Sequence, residues 1–306
     1  MTSTGVLRLG TRGSALAMAQ SQTVADMVTA ATGLRVELVE IATAGDRSSA
    51  PVQQLGVGVF VSALRDALSA KEIDFAVHSY KDLPTAPADG LSIAAVPERA
   101  DPRDALIARD GLTLAELPSG AVIGTGALRR IAQINALGLP LTTMPIRGNV
   151  DTRLRKVADG ELDAVVLARA GLARLGRAGE VTEILDPMLM LPAPAQGALA
   201  VECRSADADL VEALAALDHR ATRAAVTAER ALLAALEAGC SAPVAALAET
   251  TEDDEIYLRG AVISVDGRFA LRLSRTGTLA DAEQVGRALA ADLLEDGAEN
   301  VLGSAE

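Results

Sequence analysis

Residues 93–108 read IAAVPERADPRDALIA, and this stretch decides the fold. Two short apolar runs, Ile93–Val96 and Ala105–Ala108, have the length and composition of buried strands. The charged link between them runs from Pro97 to Pro102. Because proline and the residue before it rarely continue a regular element, this link predicts a hinge between two domains.

Short apolar runs alternate with helical patterns on both sides of the link, which is typical of parallel α/β architecture. Near the start, a strand turns at Thr11-Arg12-Gly13-Ser14 into a helix for which Ser14 is the expected N-cap. Ala198–Glu202 follows a second proline-rich stretch, and we expect this strand to return to the first domain. The other predicted strands are Val6–Leu9, Val36–Ile41, Phe75–Val77, Val122–Ile123, Leu141–Ile146 and Ala164–Leu167.

The last third of the chain has a different pattern. An Ala/Leu helix is predicted at Ala221–Glu237, and a final helix at Leu279–Leu294. Between them, the strands Ile256–Val265 and Phe269–Ser274 meet around Asp266-Gly267, a strong hairpin signal. We therefore predict two α/β lobes and a small α+β domain. The boundaries are 1–97 with 198–216 for domain 1, 102–192 for domain 2, and 220–306 for domain 3.

Composition excludes several classes of function. The net charge of −13 and the 2% of aromatic residues argue against a nucleic-acid partner. Two cysteines and two histidines in 306 residues favour no metal site. The first residues lack a signal-peptide pattern, and no apolar run reaches membrane-spanning length. We expect a cytoplasmic protein with no membrane partner.

Arginine is concentrated in the middle of this acidic chain. Between Arg129 and Arg177 there are nine basic residues and four acidic ones. Arg12, Arg129, Arg130 and Arg147 lie at strand-to-helix turns, where backbone N–H groups favour anions, and Arg153 lies one turn and a half after Arg147. Such turns would suit a ligand with several carboxylates. The alternative is a solvated surface in a chain that uses arginine in place of lysine.

Two further residues carry possible chemistry. Asp82, beside Lys81 at the end of a strand, could remain ionised and face a developing cation. Alternatively, it could cap the loop that Pro84 shapes. Cys240 lies on a small-residue loop after a helix, so its thiol could be either nucleophilic or inert, whereas Cys203 lies in a strand and is expected to pack.

Short segments in a fixed order make the chain resemble the hydroxymethylbilane synthase (porphobilinogen deaminase) family from Arg8 to Val244. The segments are Gly10-Thr11-Arg12-Gly13-Ser14, Val77-His78-Ser79 with Lys81-Asp82 and Pro84, Asp101-Pro102-Arg103-Asp104-Ala105, Leu128-Arg129-Arg130, Arg147-Gly148-Asn149-Val150 with Thr152-Arg153-Leu154, Ala170-Gly171-Leu172 with Arg174-Leu175-Gly176, Gln196-Gly197-Ala198, Thr227-Ala228-Glu229-Arg230, and Gly239-Cys240 with Pro243.

The resemblance implies a fold and a reaction. The fold would be two hinged lobes of the type II periplasmic-binding-protein kind, with mainly parallel sheets, plus the small C-terminal α+β domain. The chain would join four molecules of porphobilinogen, release ammonia, and hydrolyse off a linear tetrapyrrole. Its cofactor would be dipyrromethane, attached through a thioether to Cys240, and the protein would be a monomer.

The resemblance also implies roles for individual residues. Asp82 would be catalytic. The cofactor would contact Ser79, Lys81, Asp82, Thr125, Arg129 and Arg130. The substrate or growing chain would contact Arg12, Gln20, Arg147, Arg153, Arg174 and Gln196.

Some positions depart from the family pattern. Val57 replaces a common lysine, Ala127 a frequent serine, and Ala195 a glycine before Gln196; Ala238 and Ala242 differ on either side of the cysteine. The departures remove no charged group from the expected catalytic core. Two alternatives stay open: a non-catalytic, two-lobed carboxylate-binding protein, and a family member that has lost activity.

Overall fold

The computed structural model describes residues 5–42, 61–238 and 242–302. The chain divides into two compact units. Unit 1 comprises residues 1–100 and 198–223, and unit 2 comprises residues 101–197 and 224–306. The first division falls within the link from Pro97 to Pro102. The finer division into three domains stays a prediction.

Unit 1 is built on a five-stranded sheet with the order β2-β1-β3-β10-β4. The strands β1, β2 and β3 are parallel, whereas β10 runs antiparallel to both of its neighbours. The expectation that the strand near residue 200 returns to the first domain is confirmed. The strand bounds are Val6–Thr11 (β1), Arg35–Glu40 (β2), Phe75–Ser79 (β3), Leu91–Ala95 (β4) and Leu199–Arg204 (β10).

Helices pack against this sheet because their apolar side chains recur with helical spacing. Helix α1 begins after Ser14, whose side chain accepts a hydrogen bond from Ala17 N, as the sequence predicts. Val24 and Val28 of this helix are wholly buried against Leu9 and Phe75. The helices in this part of the chain are α1 (Ala15–Thr32), α2 (Ser62–Ser69) and α6 (Ala208–Ala215).

Unit 2 contains a second five-stranded sheet, with the order β7-β6-β8-β5-β9. The strands β6, β7 and β8 are parallel, and β5 is antiparallel to β8 and β9. The strand bounds are Asp104–Ala108 (β5), Val122–Gly124 (β6), Thr142–Met144 (β7), Ala164–Ala168 (β8) and Glu183–Ile184 (β9). The helices that follow the parallel strands are α3 (Leu128–Ala136), α4 (Val150–Ala158) and α5 (Arg169–Arg174).

A three-stranded antiparallel sheet completes unit 2, with the order β11-β12-β13. Since side chains alternate along a strand, Val244 and Ala246 face the core formed with α7 and α8, while Ala245 and Leu247 pack with Ala132 of α3. The bounds are Arg220–Ala235 (α7), Val244–Thr250 (β11), Glu255–Ile263 (β12), Ala270–Thr278 (β13), Ala282–Glu295 (α8) and Glu299–Leu302 (α9).

The predicted fold class is confirmed. The chain has two five-stranded α/β sheets, each of which contains three parallel strands, and a small C-terminal antiparallel sheet. Sequence analysis did not predict α6, α9, β9 or β11. β11 reads VAALAET, and its alanines favour a helix over a strand when considered locally. In the described ranges, no helix is long and apolar enough to span a bilayer.

Candidate active site

The carboxyl ends of the parallel strands in unit 1 carry polar side chains. β1 ends at Thr11 and leads through Arg12 into α1, while β3 ends at Ser79. The Gln20 side chain of α1 donates to Ser79 Oγ at 2.9 Å and accepts from it at 3.2 Å. Two residues that the family resemblance places in a site are therefore in direct contact.

Asp82 lies in a tight turn that follows β3 directly. The turn spans Tyr80–Asp82, and Tyr80 N donates to the carbonyl of Ala198 at 3.1 Å. Leu83, the next residue, is buried, whereas Asp82 is exposed and Lys81 is partly exposed. This turn presents the carboxylate to solvent three residues beyond Ser79, where a ligand can approach it.

A buried ion cluster supports the end of β3. Glu202 of β10 accepts hydrogen bonds from Arg65 of α2 at 2.8 and 3.1 Å, and lies 3.1 Å from His78 Nε2. Burial alone raises the pKa of Glu202, but the hydrogen bonds and charges of His78 and Arg65 lower it overall. The cluster joins α2, β3 and β10 one residue before Ser79.

In unit 2, the carboxyl ends of β6, β7 and β8 lie at one edge of the sheet. β5 begins at the same edge, since Asp104 lies opposite Ala168 in the antiparallel register. Thr125 follows β6 and is wholly buried. Its backbone N donates to Met144 O at 2.9 Å, and its Oγ1 accepts from Ala127 N at 3.4 Å. Thr125 therefore shapes the turn that leads into α3.

Asp104 is the centre of a buried polar network at this edge. Its Oδ2 accepts from Arg129 Nη1 at 2.6 Å, and its Oδ1 accepts from Arg130 Nη2 at 2.8 Å and Gln196 Nε2 at 2.9 Å. Arg129 also donates to Gln196 Oε1 and to Leu191 O. All four residues of the network are at most 5% exposed.

The charges of this network are unequal, because one carboxylate faces two guanidinium groups. Burial alone raises the pKa of Asp104, but the charges and hydrogen bonds of Arg129 and Arg130 lower it well below its usual range. Burial lowers the pKa of Arg129, against the opposing effect of Asp104. The carboxylate is thus held ionised, and an excess positive charge remains in a buried place.

Further arginines lie near Arg130. Burial lowers the pKa of Arg153, and the charges of Arg130 and Arg147 lower it further. Arg153 Nε donates to the carbonyl of Gly148 at 2.9 Å. Arg130 Nη1 donates to Val166 O, but its buried Nε has no hydrogen-bond partner within the described ranges. An anion would relieve both the unpaired donor and the repulsion between the guanidinium groups.

Arg174 and Gln196 are held by backbone groups of unit 2. Arg174 Nη2 donates to Gly197 O at 2.7 Å, and burial lowers the pKa of Arg174 to about 10. Gln196 Nε2 donates to Pro102 O at 2.7 Å as well as to Asp104. The family resemblance implies that both residues contact the substrate, and those assignments stay predictions.

Two of the alanine departures have structural consequences. Ala127 is the residue before α3 and provides no side-chain cap for that helix. Ala195 has φ of +61°, in the left-handed region that favours glycine, which gives a physical reason for a glycine at this position. Its backbone N donates to the buried Glu229 at 2.6 Å, and that carboxylate also accepts from Ala248 N at 2.7 Å.

Sequence reasoning gave no role to Asp104, although it quoted the residue within a family segment. Cys240, the predicted attachment residue, and Val57 lie outside the described residues. The described ranges contain no group of three or more side chains placed to hold a metal ion. The fold and the edge arginines define a class: α/β proteins equipped to hold a small ligand with several carboxylates.

Comparison with known proteins makes this class specific. The model for "porphobilinogen deaminase, dipyromethane cofactor binding domain" matches residues 7–212, and that for "porphobilinogen deaminase, C-terminal domain" matches residues 223–295. The chain belongs to the porphobilinogen deaminase family, whose members are transferases.

Curated relatives extend over nearly the whole chain. The porphobilinogen deaminase of Nocardia farcinica is 62% identical over 304 residues, which cover 97% of this chain and 88% of the relative. That of Mycobacterium tuberculosis strain H37Rv is 57% identical over 305 residues, which cover 97% of this chain and 98% of the relative.

Among solved structures, the chain has a weak similarity to two binding proteins. The methionine-binding protein MetQ has a TM-score of 0.43 and 13% identity, with 69% of this chain and 89% of that protein covered. A periplasmic substrate-binding protein from Coxiella burnetii has a TM-score of 0.45 and 12% identity, with coverage of 69% and 91%.

Proposed function

We propose that this chain is a hydroxymethylbilane synthase. It joins four porphobilinogen molecules head to tail on a covalently held dipyrromethane primer, and then hydrolyses off the linear tetrapyrrole. The observation that carries the proposal is the buried excess of guanidinium charge around Arg130 in a chain of the porphobilinogen deaminase family. Each pyrrole of the substrate and primer carries two carboxylates, so this charge suits them.

Each condensation has a simple balance of atoms. The C–N bond of the protonated aminomethyl group breaks, and the nitrogen leaves as ammonia with the bonding electrons. A C–C bond then forms between the resulting methylene carbon and the free pyrrole carbon of the growing chain, which loses a proton. Four such steps are followed by one hydrolysis.

Asp82 supports this reaction through its charge. When ammonia leaves, positive charge develops on the substrate and is delocalised to the pyrrole nitrogen. A carboxylate beside that nitrogen stabilises the charge and can accept a proton. Asp82 lies at the end of β3 on a turn anchored by the buried Leu83, and its side chain is exposed. Its position therefore leaves room for a substrate.

The arginines bind carboxylates and do not act on the reacting bonds. Arg130 offers its unpaired Nε, and Arg147 and Arg153 add positive charge nearby. We assign Ser79, Lys81, Thr125, Arg129 and Arg130 to the primer, Arg129 through the polar network that it shares with Arg130. The incoming substrate and growing chain are assigned to Arg12, Gln20, Arg147, Arg153, Arg174 and Gln196.

The residues present fit a polycarboxylate group such as dipyrromethane, because Arg130 Nε is a buried, charged donor that no protein group in the described ranges satisfies. We assign covalent attachment, through a thioether, to Cys240. When bound, this group supplies a nucleophilic pyrrole carbon to which the first substrate is joined. Arg130 would hold one of its carboxylates.

Intact-mass measurement tests the proposal. The purified chain should carry excess mass equal to two pyrrole units, and Cys240→Ala should lack that mass. Addition of porphobilinogen should give further steps of one pyrrole unit and release ammonia. A folded chain of unmodified mass that consumes no porphobilinogen would instead indicate a carboxylate-binding protein or a family member without activity.

We also infer that the protein is a cytoplasmic monomer. Cys203, a free thiol in the described structure, is buried and suits a reducing compartment. Light scattering should give the mass of one chain, 31.4 kDa. A dimer mass at micromolar concentration, or recovery of the native protein in a membrane or secreted fraction, would refute this inference.

A further inference from the structure

We propose that Asp104 is a positioning residue. Its hydrogen bonds occupy the guanidinium group of Arg129 within the protein, and they orient Arg130 so that it can bind a carboxylate of the ligand. This inference rests on the proposed function, because the ligand is a carboxylate-bearing pyrrole. The two arginines are adjacent in the sequence and equally buried. Their hydrogen bonds, however, give them different roles.

Arg129 has its terminal nitrogens occupied by protein groups. Nη1 donates to Asp104 Oδ2 at 2.6 Å and to Leu191 O at 3.1 Å, while Nη2 donates to Asp104 Oδ1 at 3.2 Å and to Gln196 Oε1 at 3.0 Å. Both nitrogens of the guanidinium fork are therefore paired within unit 2. Such a side chain orients its neighbours and has little capacity left for a ligand.

Arg130 uses only part of its guanidinium group on the protein. Nη2 donates to Asp104 Oδ1 at 2.8 Å, and Nη1 donates to Val166 O at 2.9 Å. Its Nε is buried and has no hydrogen-bond partner among the described residues. A buried, unpaired donor of a charged group is costly, and an acceptor on the ligand would remove that cost.

The different roles of Arg129 and Arg130 depend on Asp104, whose own position is fixed by the sheet. It is the first residue of β5 and lies opposite Ala168, so its direction is set by the register of β5 with β8. Gln196 donates to the same Oδ1 atom and also to Pro102 O, which holds the carboxylate from another side. If the carboxylate were neutralised, Arg130 would lose the partner that fixes the plane of its guanidinium.

Asp74 provides a matched control for the loss of a buried carboxylate. It also faces two arginines, with Arg8 Nη2 at 2.8 Å and Arg204 Nη2 at 3.8 Å, and it is 3% exposed. It precedes β3 in unit 1, at the opposite end of that strand from Ser79. Asp74→Asn therefore removes an equivalent ion pair without touching the Arg130 network.

Calorimetric titration of porphobilinogen tests the proposal in the Cys240→Ala background, in which no primer is attached and a free pyrrole with two carboxylates can take its place on Arg130. Asp104→Asn should weaken binding by about tenfold to a hundredfold, as for the loss of a hydrogen bond to a charged group. Asp74→Asn should reduce the denaturation midpoint but leave the dissociation constant unchanged. With Cys240 intact, Asp104→Asn should lower the fraction of chains that carry the excess mass, and Asp74→Asn should not.

The possible outcomes are distinct. Absence of both excess mass and porphobilinogen consumption in the wild type overturns the proposed function, and this inference with it. A wild type that shows both, with Asp104→Asn unchanged in binding and loading, overturns the role of Asp104 alone. If Asp104→Asn does not fold, Asp104→Glu provides the second variant, because it keeps the charge but displaces the oxygen that accepts from Arg130. This variant should also weaken binding, and unchanged binding would overturn the proposal.

Discussion

The side chains of Gln20 and Ser79 form a pair of hydrogen bonds, at 2.9 Å from the amide nitrogen and at 3.2 Å to the amide oxygen. The first residue belongs to α1 and the second ends β3, 59 positions later in the chain. The pair fixes the helix to the strand immediately before the turn that carries Asp82. The orientation of that turn therefore depends on two elements.

Asp82→Asn should abolish most turnover without loss of the fold. The amide has nearly the shape of the carboxylate but no charge to stabilise a developing cation, so we expect a decrease in kcat of at least about a hundredfold. Single-turnover consumption of porphobilinogen measures this decrease. Asp89→Asn, which changes an exposed aspartate in the following loop, is the control and should retain full activity. Near-normal turnover of Asp82→Asn would refute the role given to Asp82.

Arg147→Leu should impair elongation more than folding. Removal of one guanidinium near Arg153 loses a charge-assisted contact with a carboxylate, and we expect intermediates with added pyrroles to be populated about tenfold to a hundredfold less. Mass spectrometry after addition of substrate counts these intermediates. Arg155→Leu, at an exposed position of α4, serves as the control. Equal populations of intermediates in the two variants would contradict the prediction.

Local signals were sufficient to predict much of the fold. The turn at Thr11–Ser14 gave the start of α1, and Asp266-Gly267 gave the hairpin of β12 and β13, because caps and tight turns depend on residues that are neighbours in the sequence. The β11 strand was missed because its alanines become strand-forming only when paired with β12 and packed on both faces.

The site was predictable in its residue types but not in its pairings. The sequence indicated that Arg129 and Arg130 follow a strand, but not that both pair with Asp104, which lies 25 and 26 positions away. That contact depends on the register of β5 with β8, and an ion pair between distant residues leaves no periodic pattern in the sequence. The unequal use of the two guanidinium groups is visible only in three dimensions.

Asp101 should contribute to stability in a pH-dependent manner. Burial alone raises its pKa, but hydrogen bonds and charges from Arg103 and Arg169 lower it to about 2. Because the pKa is lower in the folded state than the value of about 3.9 in the unfolded state, the carboxylate stabilises the fold above about pH 4. This contribution is lost as the pH falls from about 4 to about 2.

Urea unfolding of the wild type and Asp101→Asn at a series of pH values measures this dependence. The difference in unfolding free energy between the two proteins should be constant from pH 7 to about pH 5 and should shrink below about pH 4. Asp89→Asn provides the reference for an exposed carboxylate. A difference in unfolding free energy that grows on acidification would contradict the lowered pKa of Asp101.

Gly267→Ala should destabilise unit 2 more than Gly138→Ala. Both glycines have positive φ, +74° and +66°, so both substitutions incur a similar backbone cost. A Cβ at residue 267 would lie 2.4 Å from Ala136 N and 2.5 Å from Asn135 C, whereas a Cβ at residue 138 meets nothing within 4 Å. We expect an additional loss of about 1–3 kcal/mol from this overlap, measurable by urea unfolding. Equal losses in the two variants would show that the hairpin shifts without cost.

The insertion of β10 between β3 and β4 has a consequence for biosynthesis. A ribosome delivers β1 to β4 first and residues 199–204 only after almost a hundred further residues of unit 2 have been made. Until then, two facing strand edges of the nascent lobe remain without partners and are open to pairing with other chains. The sheet of unit 1 therefore cannot be completed when the first hundred residues leave the ribosome. It can be completed only after the following residues of unit 2 and then β10 have been translated.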